Sequence, residues 1–233
     1  MKFIILLTTL LAAACEKQVE PVEPPASINP VAIKYLALGD SYTVGTAIGQ
    51  ESAYPFLLKK RLEENDTISG VEVTVIAQNG WTTSNLQQGV FSAKPSTNYD
   101  LVTLLIGVNN QYQGKSKVEY RREFRELLEQ SIQLGSGDKN NVFVLSVPDW
   151  GVTPAADRNR KEDIAREIDL FNQINKEITD SLEVQYFNIT EVSRTASNNL
   201  DLVAKDGLHF SEKMHKLWVE IIYTDIKKQV LKP

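Results

Sequence analysis

The sequence predicts an α/β fold built on a parallel sheet with helices on both faces. Two observations carry this. Short apolar runs bounded by Gly, Pro or Asp recur along the chain, and amphipathic stretches of helical period separate them. A third observation places function on that fold: every polar motif follows one of the apolar runs or opens the last helical stretch, where ligands of open α/β sheets bind.

In chain order, 31–38 is a buried strand. Residues 53–64 carry Phe56, Leu57 and Leu62 among Lys and Glu and form an amphipathic helix. Residues 71–77 alternate, are β-branched and form a second strand, and 82–89 form a short helix. The continuous apolar run 101–106, between Asp100 and Gly107, fits a central parallel strand. A long helix over 117–134 follows, its Lys/Glu-rich start reading as a solvated face. Residues 142–147 form a strand closed by Pro148. Residues 161–182 form a helix with Ile164, Ile168, Phe171, Ile174 and Ile178 on one face. Residues 184–189 make a fifth strand and 211–230 the last helix, with Ser211 as its expected N-cap.

The chain has 233 residues, 42% hydrophobic and 24% charged, which suits one globular domain with a sizeable core. The net charge of -5, without a separate Lys/Arg cluster, speaks against nucleic acid as a partner. The N-terminus reads differently from the rest. Lys2 and the apolar run Phe3 to Ala13 have the form of a signal peptide, too short to span a bilayer. The run ends in Leu11-Ala12-Ala13-Ala14-Cys15, which resembles a bacterial lipobox and makes Cys15 the expected site of lipidation. Residues 16–30 are rich in Pro and Glu and lack aromatics, so they are expected to form an extended tether. The expected organisation is a signal peptide over 1–14, a tether over 15–30 and one folded domain over 31–233. A lipoprotein of the bacterial cell envelope, held to a membrane through Cys15, follows from it. Cys15 is the only cysteine, which excludes an internal disulfide.

Chemistry is concentrated in the loops. Gly39-Asp40-Ser41 ends the first strand, and Asp206-Gly207-Leu208-His209 precedes the last helix. A serine hydroxyl needs an adjacent base, and the chain has two histidines. His209 has a carboxylate three residues upstream to orient it, which completes a nucleophile, base and orienter. His215 lies within the last helix, where packing or exposure is expected. A tetrahedral intermediate also needs donors aimed at its oxyanion. The Ser41 N–H, the Gly80 N–H and the Asn109 side-chain amide are the candidates. Asp40 is expected to fix its own turn by accepting backbone N–H groups. Trp81, Tyr112 and Trp150, on the same loops, could line a substrate groove. Neither a His/Cys ligand cluster nor a Gly-rich phosphate loop is present, so no metal and no cofactor are expected.

Four blocks in order resemble the SGNH hydrolases, also called GDSL esterases and lipases. Gly39-Asp40-Ser41-Tyr42-Thr43 is similar to the first block, with Ser41 as nucleophile. Asn79-Gly80-Trp81 is similar to the second, with Gly80 as oxyanion donor. Gly107-Val108-Asn109-Asn110 is similar to the third, with Asn109 as side-chain donor, and Asp206-Gly207-Leu208-His209 to the last. The resemblance implies a three-layer α/β/α sandwich with a five-stranded parallel sheet, of flavodoxin-like type, and hydrolysis of carboxylic esters without a cofactor. Two positions depart from the pattern. Tyr42 replaces the usual Leu and should alter packing beside Ser41, not the mechanism. Asn110 replaces an Asp that braces the loop in the family. A carbohydrate O-acetyl esterase, a thioesterase of the same fold and a non-catalytic glycan-binding lipoprotein are the alternatives. The substrate is accordingly a small-molecule, lipid or acylated-carbohydrate ester, and the oligomeric state is open.

Overall fold

The computed structural model describes residues 30–232. The signal peptide, Cys15 and the tether up to residue 29 lie outside the described residues. Strands β1 (Val31–Gly39), β2 (Ile68–Ala77), β3 (Leu101–Leu105), β4 (Val142–Leu145) and β5 (Gln185–Phe187) form one parallel sheet in the order β2-β1-β3-β4-β5. The chain moves outward from β1 in both directions, so a crevice opens between the carboxyl ends of β1 and β3.

Alternation along the central strands divides the core in two. Ile33, Tyr35 and Ala37 of β1 point to one face, with Leu101, Leu105, Phe143 and Leu145. That face is covered by α2 (Tyr54–Glu63) and α8 (Glu212–Val230), which follow the short α1 (Ser41–Val44) and close the chain respectively. Leu36 and Leu38 point to the other face, with Val102, Leu104, Val142 and Val144. There they meet α3 (Thr83–Ala93), α5 (Lys117–Leu134) and α6 (Lys161–Ser181), through Leu86, Phe124, Leu127 and Phe171 among others. Because β3, β4 and the second half of β1 are covered on both sides, they are buried and almost wholly apolar, Thr103 being the polar exception, as the run 101–106 indicated.

The expected elements are all present, most with shifted ends. The second helical stretch runs to Ala93, closed by Lys94 in the left-handed region at φ 47°. β2 begins earlier, at Ile68, and β5 is shorter than predicted. Three short helices escaped the sequence reading, α1, α4 (Val108–Tyr112) and α7 (Thr190–Arg194). Each is about a single turn, too short to show a period. Ser211 sits at the N-cap of α8 but does not cap it; its hydroxyl donates to the Asp201 carbonyl at 2.7 Å.

The register brings the loops to one level. Gly39 pairs with Ala77 of β2 and with Leu105 of β3, so three strands end side by side. The chain turns into α1 directly after Gly39. A Cβ there would lie 2.1 Å from Thr43 Oγ1 and 2.5 Å from the Leu105 carbonyl. The second contact is with backbone inside the sheet and cannot swing away. Gly39→Ala is therefore expected to destabilise the domain by about 1–3 kcal/mol, as overpacking does, measured as a lowered urea midpoint at unchanged slope.

Candidate active site

Ser41 is the first residue of α1 and is 4% exposed. Its N–H belongs to the first helical turn, which leaves such donors without an intrahelical partner. Asp40 caps the turn: its Oδ1 accepts the Tyr42 N–H at 3.1 Å. Burial pushes the Asp40 carboxyl up to about 7, with that N–H pulling the other way. The expected turn-fixing role of Asp40 is what the geometry displays.

His209 reaches the same place from the loop before α8. Asp206 Oδ1 accepts the backbone N–H groups of Leu208 and His209, each at 3.0 Å. Its Oδ2 meets His209 Nδ1 at 2.6 Å. Partial burial disfavours the ionised Asp206, but the hydrogen bonds from the His209 ring and the two backbone N–H groups outweigh it and hold the carboxyl below its usual range. The tetrad is thus a closed turn in which one carboxylate fixes both the backbone and the imidazole. The His209 carbonyl in turn accepts the Ala204 N–H at 2.7 Å, and Val203 bridges Phe210. Ser41 and His209 line one cavity of about 200 Å³, together with Tyr42, Asn79, Val108, Asn109, Tyr112, Trp150 and Leu208. Among the described residues no hydrogen bond joins Ser41 Oγ to the imidazole directly; such bonds often tighten only with substrate in place.

The loops after β2 and β3 are stitched together by side-chain amides. Asn109 Nδ2 donates to the Trp81 carbonyl at 3.0 Å, which uses one of its two N–H bonds and leaves the other free to serve the cavity. Gln113 Nε2 donates to the Gly80 carbonyl at 3.3 Å. Gly80 takes φ 81°, a value glycine adopts without strain, and sits beside the cavity-lining Asn79 rather than on the cavity wall itself.

Asn110 shows why an amide stands where the family usually has Asp. It is 2% exposed. Its Oδ1 accepts the Thr83 N–H at 3.0 Å and its Nδ2 donates to Thr83 Oγ1 at 2.7 Å. The Thr83 hydroxyl spends its own proton on Glu123 Oε2. A carboxylate at 110 could satisfy the N–H but would face the hydroxyl oxygen with no proton between them. Asn110→Asp is expected to lower stability by about 1–3 kcal/mol through that lost donor, measured by thermal or urea unfolding at neutral pH.

The three loop aromatics part company. Tyr112 and Trp150 line the cavity and meet edge to face at 5.2 Å between centroids. Trp150 Nε1 donates to Gln111 Oε1 at 2.7 Å, and Gln111 Nε2 to Glu167 Oε2 at 2.6 Å, which locks the indole. Below it, Arg194 Nε donates to the buried Asp149 at 3.0 Å, and Asp149 Oδ1 accepts the Gly151 N–H at 2.9 Å. Trp81, by contrast, packs against Gly89 of α3 and borders a separate cleft, so it stands apart from the groove expected for it. His215 is 1% exposed and serves packing: its Nδ1 accepts the Tyr54 N–H at 3.0 Å. Burial, aided by His209, pushes it down to about 3, so it is neutral near pH 7.

The sequence profile of the GDSL-like lipase/acylhydrolase family matches residues 37–217. The chain belongs to this family. It is a serine hydrolase of the SGNH type, and its fold is the one the family predicts. Solved structures agree on the fold. A lipase/acylhydrolase from Enterococcus faecalis superposes with a TM-score of 0.64 at 21% identity, over 84% of this chain and 96% of that one. A variant of an acetyl xylan esterase from Geobacillus stearothermophilus gives 0.64 at 18%, over 83% and 94%. The psychrotrophic esterase EstA from a Pseudoalteromonas species gives 0.60 at 17%, over 85% and 99%. No curated protein matches the chain in sequence. Among the described residues no helix is long and apolar enough to cross a membrane, and no group of three His, Cys, Asp or Glu gathers to hold a metal.

Proposed function

We propose that the chain hydrolyses short-chain carboxylic esters through an acyl-Ser41 intermediate. The observation that carries this is the single cavity shared by Ser41, Asn109 and His209, with His209 held by Asp206 at 2.6 Å. Ser41 Oγ attacks the ester carbonyl and His209 Nε2 takes its proton. Asp206 holds the imidazole and stabilises its charged form. The Ser41 N–H and the Asn109 amide, both from cavity-lining residues, receive the oxyanion, and the Gly80 N–H, next to cavity-lining Asn79, is the third candidate donor. His209 then returns the proton to the leaving alcohol, and a water activated by the same imidazole releases the acid.

The cavity supports a short acyl group. At about 200 Å³ it lies below the roughly 300–1,000 Å³ of sites that enclose a drug-sized ligand. A long chain or a large alcohol would have to remain outside. One feature favours an acylated carbohydrate as the physiological ester. Tyr112, 61% exposed, and the locked Trp150 form an aromatic edge at the cavity, suited to the apolar face of a sugar ring. The apolar run Phe3 to Ala13 and the lipobox-like segment ending in Cys15 support action outside the cytoplasm, on a lipid-anchored protein.

Turnover of aryl esters of rising acyl length tests the reading. Activity is expected to be highest for acetyl to butyryl and to fall beyond. Ser41→Ala should abolish turnover and labelling by a fluorophosphonate probe while the protein stays folded. Asn109→Ala should lower kcat roughly 100- to 1,000-fold, the usual cost of one oxyanion donor. Wild-type protein that neither turns over these esters nor reacts with the probe would refute the proposal.

A further inference from the structure

Tyr42 departs from the family's usual leucine directly beside the candidate nucleophile, and its ring is only 3% exposed. Its centroid lies 5.8 Å from the His209 ring, with the planes at 70°. The same ring lies 5.8 Å from Phe210 and 5.8 Å from Trp218, which are 5.7 Å from each other. Tyr42 is therefore wedged between the imidazole and an aromatic pair formed by Phe210 and α8. Trp218 continues the stack to His215 at 4.2 Å, and His215 accepts the first N–H of α2. The wedge thus stands on two helices of the same layer.

The His209 ring is held at Cβ by its own chain and at Nδ1 by Asp206. A ring held at those two points can still rock about the line that joins them, and rocking shifts Nε2 relative to a fixed nucleophile. A second contact off that axis is needed to set the plane. An aromatic edge against the imidazole supplies it, whereas leucine offers no flat, rigid body and would leave space in which the ring could turn. Among the described residues the Tyr42 hydroxyl makes no hydrogen bond within the protein, so the ring is the part the contact uses.

We propose that Tyr42 is a positioning residue for the base: its ring, braced by Phe210 and Trp218, sets the plane of the His209 imidazole and thereby the direction of Nε2. The kinetic part of this rests on the acyl-Ser41 reading; the structural part does not.

The test compares wild type, Tyr42→Phe and Tyr42→Leu in the full chain, by two measurements. The first is proton NMR of the imidazoles. With two histidines in the chain, His215→Asn assigns them by elimination. The proton between His209 Nδ1 and Asp206 should give a downfield resonance in wild type and Tyr42→Phe. In Tyr42→Leu it should broaden or vanish while the His215 signals stay in place. The second is steady-state turnover of a short-chain aryl ester. Tyr42→Leu should lower kcat by about 10- to 100-fold, as small misplacements of a reacting group do, with KM changed by less than about threefold. Tyr42→Phe should keep kcat within about twofold of wild type. If the leucine variant is unfolded, Tyr42→Met fills more of the space without a flat face and takes its place. A leucine or methionine variant that keeps both the resonance and kcat overturns the proposal. So does a phenylalanine variant that loses as much as leucine, because the hydroxyl would then be the working part. Wild type without turnover would count against the esterase reading alone, and the resonance would still decide the role of Tyr42.

Discussion

Residue 39 has no room for a side chain, and the site depends on that. β1 is a central strand, and its last residue is pressed between β3 and the hydroxyl of Thr43. Glycine alone allows the chain to leave the sheet there and turn at once into α1. The turn delivers Ser41 to the crevice between β1 and β3, where the strand order reverses. It also leaves the Ser41 N–H free and buries Asp40, whose carboxylate must then be satisfied by the turn it caps. Burial raises its pKa, because the charged form is held out of water beside the candidate nucleophile.

From that point the site is assembled by polar bonds between loops rather than within them. Asn109 ties the loop after β3 to Trp81, Asn110 ties it to Thr83, and Gln113 ties it to Gly80. The three bonds make two loops from separate strands into one body. Donors held in this way need not reorganise when charge develops, which is where oxyanion stabilisation gains its strength. On the far side, Arg194 braces Asp149 and Gln111 braces Trp150, so the apolar wall is as firmly held as the polar one. Apart from Asn109, the substrate side of the cavity is thus braced by side chains outside the set proposed to meet the reacting atoms.

The base is held by a different kind of contact. Asp206 closes a local turn and needs nothing beyond three residues to do so. The plane of the imidazole is set against an aromatic stack that joins α1, α2 and α8. One layer of the sandwich therefore carries the candidate nucleophile and steadies the candidate base, while the loops after β2, β3 and β4 form the rest of the cavity.

The sequence by itself determined the elements and offered the list of candidate groups. Apolar runs and helical periods are local, so every strand and long helix was legible, and residues 117–134 matched to the residue. Ser41, Asn109, Asp206 and His209 could be named because strand ends are where an open sheet binds its ligand. The element ends were less legible, because where a strand stops depends on its neighbour: β5 is paired only where β4 offers partners. Trp81, Tyr112 and Trp150 looked alike as loop aromatics, and only the packing of Trp81 onto Gly89 set it apart. Ser211 looked like a cap until Asp201, distant in sequence, took its hydroxyl. The reason for Asn110 lies in Thr83 and Glu123, and the work of Tyr42 in Phe210 and Trp218. Sequence specifies what each residue can donate, accept or fill; which partner it meets across tens of residues is fixed only when the sheet closes and brings the loops to one edge.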